Sequence, residues 1–183
     1  MTRIGSKSKL AIVLSKLKGF EERNVSKEQY EMDSEAGASS LWNAYILGDI
    51  EGKVVYDLGC GTGILGIGAL LLGAKKAVFV DIDKKALDIA KINVENTDYT
   101  MGSDGLFAKR AEFVHSDISK LKGVRADAVI HNPPFGTKVK NADREFIEKA
   151  IDIAHIVYSF HKSETLAFLE RFCAQNGAKI THI

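Results

Sequence analysis

The stretch Val54-Val55-Tyr56-Asp57-Leu58-Gly59-Cys60-Gly61-Thr62-Gly63 decides how the rest of the chain is read. Its first five residues are rich in β-branched and aromatic side chains and predict a strand; the alternating glycines after them predict a tight turn. Residues 64–72 are apolar almost throughout and read as a helix, so the unit is strand, turn, helix. Glycines in such a turn let a ligand lie against bare backbone, and the helix start aims N–H groups into the crevice above the sheet. About 20 residues further on, a second apolar run ends in Asp81, where a carboxylate can accept hydrogen bonds from both hydroxyls of a ribose.

The same alternation continues outward. Short apolar runs at 54–58, 77–80, 113–114, 128–130, 156–160 and 179–183 predict strands, and helical periods fall at 64–72, 84–95, 144–154 and 164–175. In the last helix Leu166, Leu169 and Cys173 share a face, and Gly177 stands at the position of a C-terminal cap. Strands that are apolar without interruption belong in a parallel sheet buried on both faces. The expectation is therefore a doubly wound, Rossmann-like α/β sheet. Residues 100–105 have the composition of a surface loop. Upstream, Leu10, Val13, Leu14 and Leu17 form one helical stripe with Gly19 as a stop, residues 21–35 are acidic and irregular, and 41–47 look helical up to Gly48. The chain reads as one domain over 1–183, with an N-terminal helical extension at 1–50 and the core at 53–183.

Composition narrows the function. With 45% hydrophobic residues the chain can bury a full core. Lys and Arg total 25 against 24 for Asp and Glu, so no polyanionic partner is demanded and any nucleic-acid surface must be a local patch. Cys60 and Cys173 lack metal-ligand spacing, so no metal is expected, and a reducing compartment fits them. Lys9, Lys16 and Lys18 interrupt the first apolar residues, and no run approaches the ~18 residues of a membrane span. A cytoplasmic location away from membranes is the expectation.

Two cofactor classes share the turn geometry. Gly61, Gly63 and Gly66 satisfy the dinucleotide pattern, and Asp81 would serve a nicotinamide cofactor equally well. Asp57 separates the two, because a carboxylate at the mouth of the first strand repels a pyrophosphate. It suits a ligand that carries an ammonium and a sulfonium. S-adenosylmethionine is the expected cofactor, with Asp57, Gly59, Cys60, Gly61, Thr62, Gly63 and Ile64 on one side and Asp81 with Ile82 on the other. A nicotinamide oxidoreductase would be expected to carry its hydride-transfer acid on a helix, as in Tyr-x-x-x-Lys, and no predicted helix carries one.

The chain's two prolines, Pro133 and Pro134, are adjacent and follow the run Ala128-Val129-Ile130. They end the strand and stiffen the backbone at the edge where open α/β sheets bind ligands. Asn132 precedes them and Phe135 follows. An exocyclic amine is a poor nucleophile because its lone pair is delocalised into the ring. Two acceptors on its N–H bonds, the Asn132 side-chain carbonyl and the Pro133 backbone carbonyl, would localise that pair, and Phe135 would stack on the base. Positioning and electrostatics then carry most of the catalysis, with Asn132, Pro133, Pro134 and Phe135 as the catalytic segment.

These motifs together resemble the class I amino-methyltransferases that act on nucleic-acid bases. Glu28-Gln29-Tyr30, Lys53-Val54-Val55, Asp57-Leu58-Gly59-Cys60-Gly61, Asp81-Ile82-Asp83, the segment from Asn132 to Lys138 through Gly136-Thr137, Val157-Tyr158-Ser159 and His161-Lys162-Ser163 are similar to the archaeal and eukaryotic methyltransferase-like protein 5 family. The resemblance implies adenine-N6 methylation of small-subunit ribosomal RNA. It implies that Gln29, Gly59, Thr62, Ile64 and Asp81 hold the cofactor, that Asp117 meets its adenine amine and that Ile118 lines its ring. A small zinc-binding activator protein is implied by analogy with eukaryotic members. Two departures stand out: family members often follow Glu-Gln-Tyr with Pro-Thr, where this chain has Glu31-Met32, and the family sheet ends in a strand pair of which the last strand is expected to be missing beyond Ile183.

Weaker features point to RNA. Lys138, Lys140 and Arg144 could follow a backbone past the catalytic segment, His161 and Lys162 could contact phosphate or base, and the basic start of the chain could do likewise. Guanine-N2 methylation and protein-glutamine methylation use a similar Asn-Pro-Pro-aromatic segment, although the glutamine enzymes typically carry Tyr where this chain has Phe135. A non-catalytic, cofactor-binding RNA module is the reading from outside enzymology.

Overall fold

The computed structural model describes residues 4–20, 32–134 and 142–183. Its centre is a five-stranded parallel sheet of β1 (Val54–Leu58), β2 (Lys76–Asp81), β3 (Ala111–His115), β4 (Ala128–His131) and β5 (Ile156–Ser159), in the order β3-β2-β1-β4-β5. The register pairs Asp57 with Phe79 on one side and with Ile130 on the other. Successive strands are added on one side of β1 up to β3 and then on its other side from β4, and that switch in strand order opens a crevice above the strand ends.

The helices follow from their sequences. Helix α3 (Ile64–Leu71) is apolar all round, so it must be covered on both sides, and every residue from Leu65 to Leu71 is buried. One side lies on the sheet. The other is covered by α1 (Lys7–Leu14) and α2 (Ser34–Ile46), which place Leu10, Leu14 and Leu41 in the same apolar cluster as Val55, Ile67 and Phe79. Each of those leucines is worth about 1.5–3 kcal/mol by burial, so the N-terminal helices are structural parts of the core. Close approach depends on glycine: a β-carbon on Gly66 would lie 2.3 Å from Phe79, and one on Gly68 would lie 2.3 Å from Leu41.

Helix α6 (Ala142–Ile153) covers the opposite face, where Ala150 and Ile153 meet Leu58, Val80 and Val129. Helix α7 (Leu166–Gln175) starts after a 3-10 turn at Ser163–Thr165 and ends as expected at Gly177, whose φ is +73°. Ser163 lies inside that turn, whose cap is Lys162.

Several expectations need correction. Helix α1 stops at Leu14, capped by Ser15, so Gly19 lies beyond it. Helix α4 (Lys84–Met101) runs six residues past the predicted end at 95 and into the loop expected at 100–105, and a short helix α5 (Leu106–Arg110) occupies a stretch for which the sequence predicted no element. The cause is tertiary. The buried Asp98 carboxylate accepts the N–H groups of Phe107 and Ala108 and the hydroxyl of Ser103, capping α5 from another helix. Residues 179–183 form no strand, because no strand among the described residues supplies a ladder for their N–H and C=O groups. Among the described residues no helix is long and apolar enough to cross a membrane.

Candidate active site

The turn after β1 takes the conformation its glycines allow. Gly59, Gly61 and Gly63 have φ of +65°, +54° and +90°, a region in which a side chain is strained. Gly63 caps α3 without a side chain, so the first N–H groups of the helix, those of Ile64 and Leu65, have no partner from the cap. Asp81, at the end of β2, ties the turn in place: one carboxylate oxygen accepts from Gly61 N–H at 2.8 Å and the other from Asp83 N–H at 2.8 Å. A carboxylate oxygen can accept more than one hydrogen bond, so the ribose role expected of Asp81 is compatible with its structural one. Ile82 beside it is 58% exposed, an apolar wall left uncovered next to the carboxylate. At the end of β3, Asp117 caps a 3-10 turn by accepting from Ser119 N–H, and Ile118 in that turn is buried. That backbone hydrogen bond, given by Ser119, holds the Asp117 carboxyl below its ordinary range, so it is ionised.

The remaining cofactor-site residues behave less simply. Asp57 is only 1% exposed and accepts from Gly66 N–H at 2.8 Å. Burial pushes its carboxyl up to about 7, against the opposing effect of the Gly66 hydrogen bond and with a further push from Asp81. It is therefore not the permanent anion that the sequence suggested. Cys60 is buried and its thiol is raised by desolvation, then by Asp57 and Asp81, so it packs as an unreactive wall. Thr62 is largely buried and Ile64 packs against the core cluster. Bare backbone, a held carboxylate and an uncovered apolar side chain at neighbouring strand ends are the donor set that an adenosyl group with an amino-acid tail needs.

Across the switch point, β4 ends at His131, and Asn132, Pro133 and Pro134 follow. Ile130 pairs with Asp57, so Asn132 lies two residues past that register just as Gly59 does on β1. The turn, Asp81 and the Asn132 segment thus meet at one crevice. Asn132 and Pro134 are half-buried, while Pro133 is buried. Gln29, Phe135, Lys138 and Lys140 lie outside the described residues. His161 is half-buried, its Nε2 lies 2.7 Å from Ser159 Oγ, and burial lowers its basicity, so it offers a neutral hydrogen bond more than a positive charge. Arg144, which is exposed, stacks over Phe168 at 4.8 Å and so ties α6 to α7. Among the described residues no group of His, Cys, Asp or Glu could hold a metal ion.

Three residues of this site carry no role in the sequence reading. His131 is fully buried, both ring nitrogens lack a partner among the described residues, and burial, then the nearby His161, push its imidazole down to about 3. It stacks on Phe146 with ring centroids 6.0 Å apart, and a β-carbon on Gly59 would lie 2.8 Å from the same Phe146 ring. The third is Asn93 on α4, buried at 1% exposure. Its signal was available: Ala86, Ala90, Asn93 and Thr97 share the helical stripe that faces the core, and a carboxamide there demands partners.

The methyltransferase small domain family matches residues 31–155. The rRNA N(6)-adenosine-methyltransferase METTL5 of Danio rerio is 37% identical over 164 residues, which cover 86% of this chain and 75% of that protein. An uncharacterized protein of Methanocaldococcus jannaschii is 36% identical over 179 residues, covering 97% of this chain and 80% of its own. Among solved structures, a Pyrococcus horikoshii protein whose name proposes RNA methylation superposes with a TM-score of 0.87 at 46% identity, over 96% of this chain and 84% of that one.

Proposed function

The chain belongs to the methyltransferase small domain family, together with the rRNA N(6)-adenosine-methyltransferases it matches over most of its length, and from that premise we propose that it methylates N6 of an adenine in ribosomal RNA. S-adenosylmethionine is the methyl donor. The observation that carries the substrate reading is Asn132-Pro133-Pro134 directly after β4, with Asn132 half-buried and level with the glycine turn.

The bound cofactor supplies a methyl group on a positively charged sulfur, which leaves as a thioether. The chain's own residues do the rest. Asn132 Oδ1 and the Pro133 carbonyl accept the two N–H bonds of the adenine amine and concentrate its lone pair on nitrogen. The prolines hold those acceptors in place before the base arrives, so little reorganisation remains at the moment of attack. Phe135 stacks on an adenine drawn from unpaired or easily opened RNA. Asp81 holds the ribose of the cofactor, and Ile82 with Ile118 encloses its ring. The amine proton passes to solvent after transfer, and no side chain need abstract it first.

RNA contact is assigned to Lys138, His161, Lys162 and the exposed Lys7 and Lys9 of the N-terminal helix with Lys16 just past its end. We further read residues 1–183 as one domain acting in the cytoplasm, where two free thiols persist. A small zinc-binding activator enters only by analogy with eukaryotic relatives. The test is to incubate the protein with labelled S-adenosylmethionine and total RNA, DNA and protein, then digest the labelled fraction for mass spectrometry. The expected product is N6-methyladenine in ribosomal RNA. Label in N2-methylguanine or in protein glutamine overturns the substrate assignment.

A further inference from the structure

The chain between α1 and the first undescribed segment passes directly over the glycine turn, and one side chain holds it there. Asn93 Oδ1 accepts from Lys18 N–H at 2.8 Å, and Asn93 Nδ2 donates to Lys18 C=O at 2.9 Å and to Thr62 C=O at 3.0 Å. The amide orientation is fixed by this pattern, because one end faces an N–H and the other faces two carbonyls. Lys18 is thus held through both its backbone groups as a strand would hold it, and the same amide fastens it to the turn that the cofactor must touch. Two residues on, Phe20 lies over Gly61: a β-carbon at Gly61 would be 3.1 Å from Phe20 Cζ. Beside the clamp a cavity of about 440 Å³ opens between Leu14, Lys18, Met32, Thr62 and Ile64. The N-terminal strap therefore forms one wall of the cofactor crevice, although it is far in sequence from every glycine-turn residue.

We propose that Asn93 is a positioning residue for the cofactor, clamping the strap at Lys18 to the carbonyl of Thr62 so that Phe20 closes the side of the pocket over Gly61. The inference rests on the cofactor reading above and extends it to residues that none of the glycine-turn motifs contains. Its physical basis is preorganisation. A strap already ordered by two part-buried hydrogen bonds to Asn93, itself tied to Thr62 by a buried one, costs the ligand little to complete the wall, whereas a loosened strap must be ordered at binding. Loss of the clamp should appear mainly as faster dissociation, since a wall retards escape more than entry.

The experiment measures binding and dissociation of S-adenosylhomocysteine by calorimetry and stopped flow, with melting temperatures, for the wild-type chain and four variants. Asn93→Ala should weaken binding about tenfold or more, chiefly through the dissociation rate. Asn93→Asp should do no better, because its second oxygen would face the Lys18 and Thr62 carbonyls in place of a donor. Phe20→Ala leaves the clamp intact and sits on a half-buried strap, so it should fold as wild type yet also speed dissociation. Val94→Ala, a core truncation one residue along the same helix, should lower the melting temperature while changing affinity less than twofold. A second readout reports the strap itself: cleavage after Lys18 by trypsin should be slowed by S-adenosylhomocysteine in wild type and not in Asn93→Ala. Wild-type dissociation rates in both Asn93→Ala and Phe20→Ala overturn the proposal. Failure of the wild-type chain to bind S-adenosylhomocysteine overturns the cofactor reading beneath it, a separate outcome from the same titration.

Discussion

Asp57 offers the sharpest test of the electrostatics, through the pH dependence of cofactor binding. Burial raises its carboxyl to about 7, so in the free protein near neutrality it is a mixture of neutral and ionised forms. A ligand carrying an ammonium and a sulfonium selects the ionised form. Below neutrality, binding must then expel a proton, and affinity follows the ionised fraction, rising on the order of tenfold between pH 5.5 and 7. The window stops there because the α-amino group of the ligand itself titrates at about 8. Asp57→Asn keeps an acceptor for Gly66 N–H but cannot ionise, so its profile over that range should be flat. Calorimetry in buffers of different ionisation enthalpy counts the released protons directly: close to one at pH 5.5 for wild type, none for the variant. The free protein supplies a check of sign. An acid whose carboxyl is raised by folding is stabilising while protonated, so that contribution is present at about pH 4 and is lost as pH rises through about 7. The penalty reaches roughly 4 kcal/mol once the group is fully ionised, an upper limit set by the distance from 3.8 to about 7. Asp57→Asn should therefore melt higher than wild type at pH 8 and show a smaller gain at pH 5. Parallel binding profiles for the two proteins, with no proton released by either, would refute the reasoning.

Asn132→Ala should leave affinity for S-adenosylhomocysteine within about twofold and cut turnover by about 10²–10³, as measured by single-turnover methylation of RNA; an equal loss of cofactor affinity would place Asn132 in the wrong role. Asp81→Ala removes the acceptor of Gly61 and Asp83 N–H groups along with the ribose contact, so cofactor binding should weaken by roughly 1.5–3 kcal/mol in a calorimetric titration. Gly66→Ala puts a methyl 2.3 Å from Phe79, which is stacked on Phe113 and cannot swing away. Overpacking by about 1–3 kcal/mol outweighs ~1 kcal/mol of helix propensity, and the melting temperature should drop by about 2–4 °C. A melting temperature that rises would mean that α3 sits farther from the sheet than described.

The parts of this protein that were legible in the sequence are those whose cause is local. The first strand and the start of its helix fall where Val54 to Gly63 placed them, because β-branched runs, alternating glycines and an apolar helical period act over a few residues. Asp81 and Asn132 could be singled out for the same local reason: one ends β2 and the other directly follows β4, and in a parallel sheet strand ends are where ligands bind. What only the tertiary structure decided depends on partners far along the chain. Helix α5 exists because Asp98 caps it from another helix, and residues 179–183 join no strand among the described residues because a strand is a property of its neighbour as much as of itself. The ionisation of Asp57 follows from how completely the fold removes it from water. Asn93 and Lys18 stand 75 residues apart, and no periodicity connects them. Their pairing arises only when α4 and the N-terminal strap are packed against the same turn, since a buried carboxamide must find its partners wherever the fold supplies them.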